Sequence, residues 1–183
     1  MTDPADGTAA ILAYWFDELG PDRWWVRSKE TDETIVERFE ELWEEWRSRV
    51  PESFLGSPRE ALAGVILFDQ FPRNMFRGHA DAFSTDPLAL AIAKGAVERG
   101  LDERLTPDER SFLYMPFQHS ELLADQQRSL ALFTALGNAR SLDFAHEHHD
   151  MIARYGRFPA RNAALGRADR PGEQAAIAMS RDW

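Results

Sequence analysis

The chain has 183 residues, a length that one domain spanning residues 1–183 can fill while burying a sizeable core. It contains no cysteine, which excludes a disulfide framework, a thiolate zinc site and a cysteine nucleophile, and suits a reducing cytoplasm. A net charge of −10 repels phosphate backbones and argues against nucleic acid as a partner.

The N-terminus opens Met1-Thr2-Asp3-Pro4-Ala5-Asp6, acidic where a secretory signal is basic, so a cytoplasmic protein is expected. The first helical stretch holds Ile11, Leu12, Tyr14, Trp15, Phe16 and Leu19 and is expected to stop at Gly20-Pro21. The next is expected from about Lys29 to Arg49. Ile35, Phe39, Leu42, Trp43 and Trp46 share one of its faces, and Glu33, Glu37, Glu40, Glu41, Glu44 and Glu45 line a solvated one.

Ser57-Pro58-Arg59-Glu60 and Thr106-Pro107-Asp108-Glu109 read as capping boxes with proline at the first helical position. Ala61 to Phe68 is apolar on all sides, the pattern of a buried helix and far too short for a membrane span. Another helix starts at Ser84-Thr85-Asp86-Pro87 and ends near Gly100. Pro116 lacks an N–H and is expected to interrupt the pattern around Phe112 to Glu121. Ser120 reads as the N-cap of a helix from Glu121 to Leu136, with Glu121 at its positive end. A helix from Ser141 to Tyr155 and shorter ones after Pro159 and Pro171 complete an all-α chain of about eight to ten helices.

Polar residues in apolar positions carry the functional signal. Asp69 follows Val65 and Ile66 by one turn and so points into the same interior, where a carboxylate needs a partner. Arg73 is the nearest candidate, with Gln70 and Asn74 adding hydrogen-bonding groups. Phe144, His148, Met151, Ile152 and Tyr155 fall within one helical arc, which puts His148 on an apolar stripe. His146, Glu147, Asp150 and Arg154 fall on the opposite face. His146, His149 and Asp150 alone make too small a ligand set for zinc, and neither a metal nor another cofactor is expected. Phe71-Pro72-Arg73-Asn74 and Phe158-Pro159-Ala160-Arg161-Asn162 each place Arg and Asn after Phe-Pro, and both are expected to be helix-to-helix corners. No Ser-His-Asp pattern or glycine-rich phosphate loop marks a reaction, so enzymatic activity is left open.

Several segments in order resemble a bacterial family of unknown function with a tetratricopeptide-like helical fold. They are Phe68-Asp69-Gln70-Phe71-Pro72-Arg73-Asn74-Met75-Phe76-Arg77-Gly78, Ala82 to Leu90, Pro116-Phe117-Gln118-His119-Ser120-Glu121 and Ala124-Asp125-Gln126. The resemblance resumes at His148, Ile152, Arg154, Tyr155-Gly156-Arg157-Phe158-Pro159, Arg161-Asn162 and Leu165-Gly166-Arg167, and spans residues 10–178. It implies a tetratricopeptide-like superhelix and no established reaction. The chain departs from the family at Ala160, where histidine is usual, at His149 and Gln118, and at Asp169-Arg170.

Two functions follow as expectations. In the first, Asp69, Arg73, Asn74, His119, Glu121, His148, Arg157, Arg161 and Asn162 line one pocket for a small carboxylate or phosphate. In the second, the helices present a groove to a peptide or protein partner and the buried polar groups only lock them together. No membrane partner is expected, and the oligomeric state is not legible.

Overall fold

The structure is a computed structural model that describes residues 4–179, and every regular element among them is helical. Helices α1 (Pro4–Leu12), α2 (Lys29–Trp46), α3 (Pro58–Val65), α4 (Phe71–Met75) and α5 (Asp86–Glu98) are followed by α6 (Pro107–His119), α7 (Leu123–Leu136), α8 (Ala139–Tyr155) and α9 (Glu173–Met179). Two compact units are present. One holds the chain up to Arg77 and Asp81–Pro116, the other Gly78–Ala80 and the chain from Phe117 onward. No helix among the described residues is long and apolar enough to cross a membrane.

In the first unit α1 runs straight into a π-helical stretch, Ala13–Leu19, which stops at Gly20 with φ of 71°. A positive φ costs glycine nothing, so Gly20-Pro21 ends the helix where the sequence places its end. Ser28 caps α2 by accepting the Thr31 N–H, and Ile35, Phe39, Leu42, Trp43 and Trp46 are buried along one face. The helix ends at Trp46, three residues short of the expected Arg49, because residues 47–49 turn away. There Arg47 and Arg49 lie over the Trp43 and Trp46 rings, at 4.0 and 4.5 Å, while pairing with Glu44 and Glu45.

Ser57 accepts the Glu60 N–H at the start of α3, and the Thr106–Glu109 box at α6 is reciprocal. Helix α3 and the π-helical turn Ile66–Gln70 behind it form the centre of the unit, with α1 and α5 packed on α3. Residues Val65 through Phe68 are fully buried. The rings of Tyr14, Trp15 and Phe39 gather around Phe71, with Phe39 at a centroid distance of 4.7 Å.

Two expectations about proline fail, each for a local reason. Pro116 does not interrupt α6, which continues to His119. Close to a helix C-terminus, proline removes one hydrogen bond but keeps a helical φ, and only one further turn depends on it. Phe71, before Pro72, is not driven out of the α region but sits at φ −61°, ψ −41°. The π turn is the reason: the Phe71 N–H bonds to the Ile66 carbonyl, five residues back, and the widened turn makes room for the proline ring.

In the second unit α7 and α8 form a hairpin through Gly137, left-handed at φ 75°, and Asn138, whose side chain accepts the Ser141 N–H. Helix α7 starts at Leu123, not at Glu121. Ser120 accepts the Leu122 N–H and donates to Asp125, which leaves Glu121 outside the first turn. Helix α8 ends at Gly156, again left-handed, and a 3₁₀ turn, Pro159–Arg161, then packs against α9.

Candidate functional site

Most polar groups of the first motif find partners inside the first unit, although Arg73 Nε is buried without a hydrogen bond among the described residues. Asp69 is fully buried; it accepts the Gln70 amide at 2.5 Å and lies 3.4 Å from Arg73. Arg73 forms a two-pronged pair with Asp86 at 2.8 and 3.1 Å and donates to the Asp69 carbonyl. Burial alone would lower the Arg73 pKa, but the charges of Asp69 and Asp86 outweigh it and hold it above the ordinary value. Asn74 donates to Asp32 at 2.8 Å, beside the Arg77–Asp32 pair. Pro72 contributes through what it lacks. The Phe68 carbonyl, four residues before it, has no helical N–H there to bond and instead accepts the Thr85 hydroxyl at 2.7 Å. The motif containing Asp69 and the one containing Thr85 and Asp86 are thus one hydrogen-bonded assembly.

The second unit builds a corner of arginines and carboxylates where the chain leaves α8. Glu121 receives Arg167 through two bonds of 2.7 and 3.0 Å and also accepts the Phe158 backbone N–H. Burial pushes the Glu121 carboxyl up, but the Arg167 and Phe158 hydrogen bonds and the charges of Arg167 and Arg161 hold it below its ordinary range. Arg157 makes a second fork with Glu173, at 2.8 and 2.7 Å. That guanidinium, with the Arg170 N–H and the Asn162 amide, pulls the Glu173 pKa down to about 2. Asn162 joins the two forks, donating to Glu173 and accepting from Arg167 at 3.1 Å.

Within this frame lie the two histidines. The His119 and His148 rings are 5.9 Å apart, and His148 meets the Phe158 ring edge-on at 5.5 Å. The Arg161 guanidinium stands over the same phenyl ring at 4.5 Å. His148 is 2% exposed and Arg161 4%, so these charge-bearing groups sit inside the protein. His148 Nδ1 is 2.7 Å from the Phe144 carbonyl, an acceptor, which assigns a proton to Nδ1.

Of the nine residues expected in one pocket, Asp69, Arg73 and Asn74 belong to the first unit, and His119, Glu121, His148, Arg157, Arg161 and Asn162 to the second. Sequence reasoning missed the carboxylates Asp32, Asp86 and Glu173. Each stands in the first turn of its helix, where an acidic residue is ordinary and signals nothing more. Ser129 was missed as well; it is wholly buried on the inner face of α7 beside Gln126.

The match to known proteins follows the whole of this architecture. A solved structure of a protein of unknown function from Agrobacterium tumefaciens, ATU0120, shares 38% of its sequence with this chain, covering 97% of this chain and 100% of that one with a TM-score of 0.90. No curated protein matches. Residues 11–180 match the family described as bacterial protein of unknown function, DUF924. The chain belongs to that family.

Proposed function

We propose that the second unit binds a small anion, a carboxylate or phosphate, at His119, His148 and Arg161, with Glu121, Arg157 and Asn162 holding the corner in shape. The observation that carries this reading is the burial of His148 and the Arg161 guanidinium against one phenyl ring, with the His119 imidazole beside His148. A guanidinium offers parallel N–H donors that match the oxygens of a carboxylate or phosphate. With Nδ1 committed to the Phe144 carbonyl, a protonated His148 would offer its Nε2–H to the anion. Asp69, Arg73 and Asn74 serve helix packing in the first unit in this reading. A tetratricopeptide-like arrangement, as the resemblance implies, would add a face for a peptide, and the exposed Trp25 and Val26 are side chains such a partner would meet.

Calorimetric titration with succinate, citrate and inorganic phosphate tests the proposal. At least one should bind the parent protein. Arg161→Leu should lose at least about tenfold in affinity, the worth of one charge-assisted hydrogen bond. Arg161→Lys, which keeps the charge but not the fork, should fall between. Unchanged binding by a folded Arg161→Leu protein, or no binding by the parent, would refute the reading.

A further inference from the structure

Resting on that anion site, we infer that its ligand also carries an ammonium group, so that the molecule recognised is a small zwitterion of the amino-acid or amino-phosphate type. The inner face of α7 presents Asp125, Gln126 and Ser129, all buried. The Gln126 amide is oriented beyond ambiguity, because its Nε2 donates to two carbonyls, Gln118 O and Ser120 O, each at 2.7 Å. Those carbonyls flank His119 in the chain, so Gln126 lies directly against the backbone that carries one of the two imidazoles. With its nitrogen committed, Gln126 turns an oxygen, Oε1, to the interior. That atom, Gln118 Oε1 and Ser129 Oγ are buried and have no hydrogen-bond partner among the described residues.

Buried polar atoms without partners are uncommon in native proteins, and each calls for an explanation. Here the three share a chemistry: two are acceptors only, and the third, a hydroxyl, can accept. A plain carboxylate or a fully ionised phosphate ester supplies no donor and would leave them as they are, and hydrogen phosphate supplies only one. An ammonium carries three donors and no acceptor, which matches this set. The charge agrees, since the Asp125 carboxylate is buried on the same face while the guanidinium of Arg161 stands over Phe158. The α7 face is therefore suited to a cationic head and the Arg161 side to an acidic one. Helix packing explains the Gln126 nitrogen, which serves two backbone carbonyls, but not its buried oxygen, and it does not explain Ser129, because alanine would fill that position without stranding a polar atom.

The test compares pairs that differ in the amino group alone: L-aspartate with succinate, L-glutamate with glutarate, and O-phosphoethanolamine with ethyl phosphate, each titrated calorimetrically into the parent protein. In at least one pair the amino member should bind at least about tenfold tighter, although its net negative charge is smaller. Ser129→Ala removes an unpartnered hydroxyl and is expected to fold as the parent does. It should narrow the ratio severalfold and leave the affinity for the plain acid unchanged. Equal binding within every pair overturns the inference while the anion site stands. A ratio that survives Ser129→Ala unaltered removes Ser129 from the site and overturns the three-acceptor match. If no member of any pair binds, the anion site itself fails and the inference falls with it.

Discussion

At the scale of single residues, the chain repeatedly compensates a local loss with a distant side chain. Pro72 removes a helical N–H, the Phe68 carbonyl loses its partner, and the Thr85 hydroxyl replaces it from seventeen residues away while itself accepting from Trp43 Nε1 at 3.2 Å. Thr85→Val keeps the shape and deletes the donor, stranding a buried carbonyl at a cost of about 1–3 kcal/mol. Urea unfolding should register that loss in the parent background. In a Pro72→Ala background the restored N–H can serve the same carbonyl, so the Thr85→Val penalty should shrink. Equal penalties in both backgrounds would mean that proline and threonine are not coupled in this way.

Secondary-structure elements pack here through glycines as well as aromatics. Gly7 lies where α1 meets the end of α2, and a Cβ built on it would fall 2.7 Å from two atoms of the Trp46 indole. That ring is 1% exposed and has no room to yield. Gly95 in α5 is similar in form, with a Cβ meeting Leu55 Cδ1 at 2.5 Å, but that atom is the end of a side chain that can rotate. Alanine gains about 1 kcal/mol over glycine inside a helix, and overpacking costs about 1–3 kcal/mol. The overpacking term should win at Gly7, so Gly7→Ala lowers stability, whereas Gly95→Ala should be close to neutral. Chemical denaturation of the two variants side by side decides this; the reverse order would show that the indole yields more readily than the leucine. Elements are also where sequence reading did best. Caps at Ser57 and Thr106 depend on residues within one turn, and the buried faces of α2 and α8 follow from helical spacing. It failed at Pro72 and Pro116, where the outcome depends on how a turn widens or where a helix ends.

For the molecule as a whole, each compact unit carries a buried pair that ties its stability to pH. In the second unit Glu173 is held at about 2, against an ordinary 4.5, chiefly by Arg157. The unfolded chain takes up that proton first, so the pair's contribution is complete above 4.5 and is lost as pH falls toward 2. In the first unit burial and the hydrogen bond to Asp102 push Tyr114 up to about 12 from 10. There the unfolded chain ionises first, so stability is lost as pH rises from 10 toward 12. Thermal melts followed by circular dichroism across pH should show both limbs. Glu173→Gln should flatten the acid limb alone and Tyr114→Phe the alkaline limb alone. If either variant retained the parent's dependence, its pair would not be the source.

The amino-acid sequence by itself determined the all-helical class, most helix starts and stops, and the burial of Asp69 and His148 on apolar faces. These are settled by neighbours within a turn or two, through caps, glycine's freedom at positive φ and the helical period. Only the tertiary structure decided which charge meets which. Glu121 meets Arg167 across forty-six residues, Asn74 meets Asp32 across forty-two, and Arg157 meets Glu173 across sixteen. No period or motif encodes such pairings, because a guanidinium selects whichever carboxylate the packing of helices brings within reach. The same holds for His148 and Arg161 against Phe158 and for His119 beside His148: burial of His148 is legible along α8, but its closeness to His119 exists only once the chain has folded.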